Sequence, residues 1–250
     1  MKMTILGSGT STGVPMVGCR CPVCTSPDPK DSRTRASLLI EISGKYILID
    51  TSPDLRRQML REKVPHLDAV LYTHTHADHV NGIDDLRGYH LIHKRAIPCY
   101  GSGETIDHLS RHFSYIFTGS GGGGYAPLLE PHTVSGRFQL FGLTIQSVPL
   151  IHGCSRATGY RIGDAAYLTD CSRIPETSMA LLSGLDILIL DALRYTPHPN
   201  HFNIEGALKI TEQLRPQRTI LTHLTHEVAH KDESRLTPGV EFAYDGMILE

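Results

Sequence analysis

His74-Thr75-His76-Ala77-Asp78-His79 follows directly on the apolar run Ala69-Val70-Leu71-Tyr72-Thr73. In an extended segment residues i and i+2 point to the same side, so His74 and His76 can grip one ion together. If the chain then turns into a helix, Asp78 and His79 swing toward a second ion. Three imidazoles and a carboxylate within six residues are costly to bury unless they bind something. The chain carries 15 His, more than its 10 Tyr or 6 Phe, and His is the commonest metal ligand and a frequent acid/base.

The same junction recurs. Val148–Ile151 runs into His152, Ala166–Thr169 into Asp170, Ile187–Leu190 into Asp191, and Thr219–Thr222 into His223. In α/β proteins, ligands gather where the carboxyl ends of strands converge on one edge. Asp191 can either orient a ligand or cap a helix. Periodicity around these junctions predicts alternating strands and helices. Strands are expected at Met3–Leu6, Ser37–Ile42, Tyr46–Ile49, Ala69–Tyr72, Ile97–Tyr100, Leu143–Leu150, Thr158–Ile162, Ala165–Leu168, Asp186–Leu190 and Arg218–Leu221. Helices are expected at Pro53–Glu62 with Ser52 as N-cap, at Glu104–His112, and at Ile204–Leu214 with Asn203 as N-cap.

The 250 residues include 24 basic and 26 acidic side chains, a formal net charge of −2. This length suits one α/β domain, 1–250, and no linker separates independent cores. The charge balance argues against a broad nucleic-acid surface. No apolar run approaches the ~20 residues of a membrane span. Met1–Gly7 is too short and too soon broken for a signal peptide, so the expectation is a cytoplasmic protein without membrane contact. Gly119–Gly124 reads as a flexible loop tip, or as a lid near an active site.

Gly18-Cys19-Arg20-Cys21-Pro22-Val23-Cys24 sets three Cys at C-x-C-x₂-C. Without a secretory signal, clustered Cys favours metal over disulfide. A structural zinc needs four ligands, so a fourth must come from elsewhere, and His226, three residues after His223, is the candidate. Cys99, Cys154 and Cys171 read as small core residues.

His-x-His-x-Asp-His with a later His, an Asp and a final His, in this order, resembles the metallo-β-lactamase superfamily of binuclear hydrolases. The likeness runs from Thr4 to about Gly246. It implies an αββα four-layer sandwich with metals at one edge and a small Cys-rich zinc knuckle near the N-terminus. By that resemblance His74, His76 and His152 hold one metal; Asp78, His79 and His223 hold a second; Asp170 bridges them. Two divalent ions about 3.5–4 Å apart can share a water and lower its pKa toward ~7. Ligand type does not choose between Zn and Mn.

Gly7-x-Gly9, Gly13-Val14-Pro15, the Cys19/Cys21/Cys24 knuckle and Thr222-His223-Leu224-Thr225-His226 look like the PhnP-like branch, which opens phosphoribosyl 1,2-cyclic phosphate. The branch implies a structural zinc on Cys19, Cys21, Cys24 and His226, and a homodimer. It also implies His201 as general acid, with His198 its rival, and Asp78 is grouped with His201 among the catalytic residues. The function so implied is a metal-dependent phosphodiesterase acting on a small phosphodiester. The alternatives are a tRNA 3′-processing type of nuclease, a thioesterase, or a non-catalytic relative of PqqB. Arg33, Arg35, Arg87 and His93-Lys94-Arg95 are weak candidates for meeting the substrate phosphate. His66, His90, His108, His112, His132 and His230 have no constellation around them.

Overall fold

The computed structural model describes residues 1–118 and 129–250, so Gly119–Gly124 lies outside the described residues. The strands are β1 (Lys2–Gly7), β2 (Ser37–Ile42), β3 (Lys45–Ile49), β4 (Ala69–Leu71), β5 (Ile97–Gly101), β6 (Leu129–Thr133), β7 (Arg137–Leu140), β8 (Leu143–His152), β9 (Ser155–Ile162), β10 (Ala165–Leu168), β11 (Ile187–Asp191), β12 (Arg218–Thr222), β13 (Val240–Phe242) and β14 (Ile248–Leu249). The α-helices are α1 (Leu55–Glu62), α2 (Ala77–Val80), α3 (Arg87–His93), α4 (Gly103–His112), α5 (Ser114–Phe117), α6 (Glu176–Met179) and α7 (Ile204–Leu214).

Among the described residues the strands form two mixed sheets, ordered β14-β1-β2-β3-β4-β5-β6 and β13-β12-β11-β10-β9-β8-β7. In the first, β3 to β6 run parallel; in the second, β10 to β13 do. One apolar cluster joins the sheets face to face, with Ile40, Ile47 and Leu71 of the first meeting Ile145, Tyr160 and Ile189 of the second. A second cluster seats α7 on the far side of the second sheet through Ile204 and Ala207 against Leu190 and Leu221. A third seats α1 and α4 on the first sheet through Leu55, Met59 and Leu109. Helix, sheet, sheet, helix is the order of layers, as the resemblance implied.

The parallel strands explain where the site lies. Because β3, β4, β10, β11 and β12 point the same way within their sheets, their carboxyl ends reach one edge of the sandwich. β8 is antiparallel to β9, and β9 to β10, so β8 brings His152 to that same edge. Burial along the whole of β11 is met by Ile and Leu on both faces up to Asp191, and β12 is buried from Thr219 onward, directly before His223. The charged and imidazole side chains thus come at the ends of these strands.

Several boundaries differ from the sequence reading. The first helix starts at Leu55, and its N-cap is Asp54, not Ser52. Asp54 turns its carboxylate to Arg35, and Ser52 Oγ accepts from the Asp54 amide instead. Asn203 does cap α7, accepting from the Gly206 amide at 3.0 Å. The edge strands β6, β7, β13 and β14 escape the periodicity because they are short and half-exposed. Cys99 and Cys171 are buried as expected, but Cys154 is exposed at the tip of the β8–β9 hairpin.

Candidate metal centre

His74 leaves the end of β4 extended, and His76 follows two residues later. The chain then turns into α2, whose first turn carries Asp78 and His79. Ligand atoms of His74, His76, His152 and Asp170 lie within 4.8 Å of one another, and so do those of Asp78, His79, Asp170 and His223. Asp170 belongs to both groups and divides its oxygens between them. Its Oδ2 lies 3.8 Å from Nε2 of both His74 and His152. Its Oδ1 lies 3.1 Å from His79 Nε2 and 3.3 Å from His223 Nε2. Asp78 Oδ2 completes the second group, 3.3 Å from His79 Nε2 and 3.6 Å from His223 Nε2. All of these residues are buried except His76.

These donors fit divalent cations. Buried polar atoms are almost always hydrogen-bonded, yet Nε2 of His74, His79 and His223 makes no aligned hydrogen bond. Their lone pairs converge on shared points rather than on one another. The charge agrees. Burial alone would raise Asp170 and Asp78, but the adjacent imidazoles of His223 and His79 hold both carboxylates well below the usual range. Burial opposes the imidazolium of His79 and His223, but the surrounding carboxylates together outweigh it: Asp170, Asp50 and Asp78 lift His79 well up, and Asp170, Asp78 and Asp191 lift His223 to about 9. Negative charge at the centre thus calls for positive charge beside it. His74, deep and next to His79, is pushed well down and stays neutral.

The outer contacts fix the rings. His79 Nδ1 meets Asp50 Oδ2 at 2.7 Å, and Asp50 also accepts from the amide and hydroxyl of Thr73. His152 Nδ1 donates to the Asn200 carbonyl at 2.8 Å. Partners of this kind set the tautomer and orientation of ligating imidazoles. Asp50, Asp170 and His223 all adopt positive φ, at 64°, 53° and 62°. A non-Gly residue in that region is strained, and such strain collects at functional sites. Asp50 escaped the sequence reading, although it follows the apolar run Tyr46–Ile49 as the other strand-end residues follow theirs.

His201 lies beside this centre. Its Nδ1 is 2.9 Å from Asp191 Oδ2, and its ring stacks on His223 at 4.9 Å and meets His152 edge-on at 4.7 Å. Asp191 also accepts from the Cys171 amide at 2.8 Å, while its Oδ1 is 3.9 Å from His223 Nδ1. It is therefore an orienting carboxylate, aimed chiefly at His201, and caps no helix. His198 is set back, 5.2 Å from His201, with Nδ1 accepting from the Asn200 amide.

Gly153 closes the turn after His152 at φ +60°, and a Cβ there would overlap the Asn200 side chain. Gly153→Ala is expected to displace the 198–201 loop and lower turnover about tenfold, leaving metal content intact. Turnover unchanged within twofold would remove this loop from the account.

The knuckle assembles from both chain ends. Ligand atoms of Cys19, Cys21, Cys24 and His226 lie within 4.8 Å of one another, with His226 Nδ1 3.4 Å from Cys19 Sγ and 3.3 Å from Cys21 Sγ. The Cys24 amide and His226 lower the Cys21 thiol to about 6, which favours the thiolate a metal requires. Burial pushes Cys24 up to about 11. Arg33, fully buried, donates to the carbonyls of Thr225 and Val228 and so holds the loop bearing His226. None of the cationic candidates named for the substrate phosphate pairs at the metal centre. Arg35 is tied to Asp54, Arg87 to Asp84 and Arg95 to Asp68.

The model of the beta-lactamase superfamily domain matches residues 45–224. The crystal structure of a new diphosphatase from the PhnP family superposes with a TM-score of 0.93 at 44% identity, covering 100% of this chain and 97% of that one. An octanoyltransferase of Porphyromonas gingivalis is 40% identical over 253 residues, which is 99% of this chain and 51% of that protein. The chain thus spans about half the length of that relative. A coenzyme PQQ synthesis protein B of Methylobacterium radiotolerans is 27% identical over 228 residues, 76% of this chain and 72% of the relative.

Proposed function

The chain belongs to the beta-lactamase superfamily and, within it, to the PhnP family, and on that premise we propose that it is a metal-dependent phosphodiesterase acting on a small, cyclic phosphodiester. His74, His76, His152 and Asp170 would hold one divalent ion, Asp78, His79, His223 and Asp170 a second, and the Cys19/Cys21/Cys24/His226 knuckle a structural zinc. When bound, a pair of Zn²⁺ or Mn²⁺ ions supplies Lewis-acid activation of water and neutralises charge on the phosphoryl oxygens.

The observation that carries the reading is His201. An ester of an alcohol leaves as a strongly basic alkoxide and needs a proton. Asp191 engages the His201 Nδ1 proton and fixes the ring, so Nε2 is the atom that delivers a proton to the leaving oxygen. Water oxygen forms the new bond to phosphorus and gives up a proton to solvent, the bond to the leaving oxygen breaks as that oxygen takes the His201 proton, and solvent returns one to His201. Asp170 and Asp78 serve as ligands and hold the charge balance of the centre.

A second reading, hydrolysis of a diphosphate linkage, draws support from the PhnP-family diphosphatase at 44% identity. Its phosphate leaving group is weakly basic and has little use for a built acid. The octanoyltransferase name describes a protein about twice as long and supplies no substrate here. Net charge −2 disfavours a long tRNA. Among the described residues no helix is long and apolar enough to cross a membrane. The proposed setting is the cytoplasm, as a homodimer.

Turnover by Mn²⁺- or Zn²⁺-loaded protein on a ribose cyclic phosphate, a 2′,3′-cyclic nucleotide, a nitrophenyl diester and a diphosphate diester tests the choice. Hydrolysis of the cyclic esters is expected. Hydrolysis of the diphosphate alone would replace the reading with the second one. No turnover with both ions bound would favour a non-catalytic role.

A further inference from the structure

We propose that the outer face of the second sheet, at its β7–β9 end, carries a separate ligand site that binds the phosphate group of a small molecule. The site does not depend on the reaction at the metal centre. Successive side chains point to opposite faces of a strand. Phe138, Ile145 and Tyr160 turn inward to the core between the sheets. Arg137, Gln146 and Arg161, each adjacent to one of these in sequence, therefore turn outward. Gln146 pairs with Arg137 on β7 and with Arg161 on β9. The three stand in one row across neighbouring strands, with the two arginine backbones about 10 Å apart. The row lines a hollow of about 430 Å³, together with the Gly163-Asp164 turn and Ser183. A hollow of this size suits a small ligand.

The two arginines play different parts. Arg161 is fixed by backbone carbonyls: Nε donates to Gly163 at 2.9 Å, and Nη1 donates to Leu181 and Ser183, both at 2.8 Å. Those bonds leave its charge uncancelled and its Nη2 open to a ligand. Asp164 is the one carboxylate in the described lining. It stands 3.8 Å from Arg161 Nη2 with its side chain 71% exposed, too far for a hydrogen bond and of little worth in water. Arg137 is exposed and has no hydrogen-bond or ion-pair partner among the described residues. One guanidinium is thus held in place and the other is free to close on a ligand. Gln146, between them, gives one amide N–H to the Ser147 carbonyl at 2.9 Å and keeps a second.

Two guanidinium groups against one exposed carboxylate call for an anion. A phosphate monoester carries about −1.5 to −2 at pH 7 and presents several strong acceptor oxygens. Planar guanidinium groups match those oxygens in pairs. A carboxylate ligand brings a single charge and fewer oxygens, so phosphate is the better partner for two arginines. The site is also set apart from the metals. Gln146 and His152 lie six residues apart on β8, about 20 Å along the strand. A phosphate bound in the hollow does not reach the ions, so the two sites can be followed separately.

The test titrates inorganic phosphate into the zinc-loaded holoenzyme and follows backbone amides in proton–nitrogen correlation spectra. The amides of Gly163 and Ser183 are expected to shift and saturate, on a curve separate from that of Ala77 and Asp78 at the metal centre. Arg137→Gln is expected to weaken binding at Gly163 and Ser183 about tenfold or more, and to leave the response of Ala77 and Asp78 unchanged. Arg137→Lys is expected to recover part of the loss. Acetate at the same ionic strength is expected to bind the hollow more weakly than phosphate. A response at Gly163 and Ser183 that never saturates, or that Arg137→Gln leaves unchanged, would overturn the proposal. Acetate binding as tightly as phosphate would overturn the assignment of the ligand.

Discussion

Asp170→Asn is expected to cut phosphodiester turnover by about 10³-fold or more and to strip the purified protein of at least one active-site ion. Among the described residues the carboxylate is the one group that reaches both histidine sets, Oδ2 toward His74 and His152 and Oδ1 toward His79 and His223. An amide of the same shape removes the charge and turns one of these oxygens into a donor. Ion-pair catalysis supplies several kcal/mol of charge stabilisation at the reacting group, and each 1.36 kcal/mol is tenfold in rate. Asn is the informative substitution because Asp170 sits at φ 53°, where Asn is tolerated and Ala is strained. Asp170→Ala should lose the same activity and some stability besides. Metal analysis with circular dichroism separates the two effects. Retention of both ions and of turnover within tenfold in Asp170→Asn would show that the bridge is unnecessary.

His201→Ala is expected to keep all ions and to lose about 10²–10⁴-fold in kcat on diesters with an alkoxide leaving group. On a nitrophenyl diester, whose leaving group is far less basic, the loss should be about tenfold or less. This contrast is the signature of an acid rather than of a ligand, because a lost ligand lowers both rates together. Asp191→Asn should reproduce part of the effect, since the amide can present a donor to Nδ1 and favour the wrong tautomer. Equal losses on the two leaving groups would make His201 a positioning group or a metal ligand. That alternative has a geometric basis, because Asp191, His201 and His223 also bring ligand atoms within 4.8 Å of one another.

The centre was legible because the fold forces it to be. Strands β10 and β11 are buried along their whole length and are apolar up to Leu168 and Leu190, so Asp170 and Asp191 stand out just beyond. His152 and His223 likewise follow mainly apolar runs. Asp50 obeys the same rule but follows a hairpin strand and lies far from the histidine motif in sequence. Nothing local marks it as the partner of His79. The role of Asp191 stayed open because an acid at a strand end can face a metal ligand, a backbone amide or a helix. Only the packing of the 198–201 loop decides between them. The edge strands were missed because each buries little and so carries no strong periodicity.

The central claim is that two ions held by seven side chains carry out hydrolysis at phosphorus. The most direct measurement strips the protein with chelator, restores the knuckle with one equivalent of zinc, and adds Mn²⁺ stepwise while turnover of a ribose cyclic phosphate is followed. Activity should stay near background with the knuckle ion alone and rise to a plateau as two further ions per chain bind. Full activity with the knuckle ion alone, or no activity with all three ions in place, would contradict it.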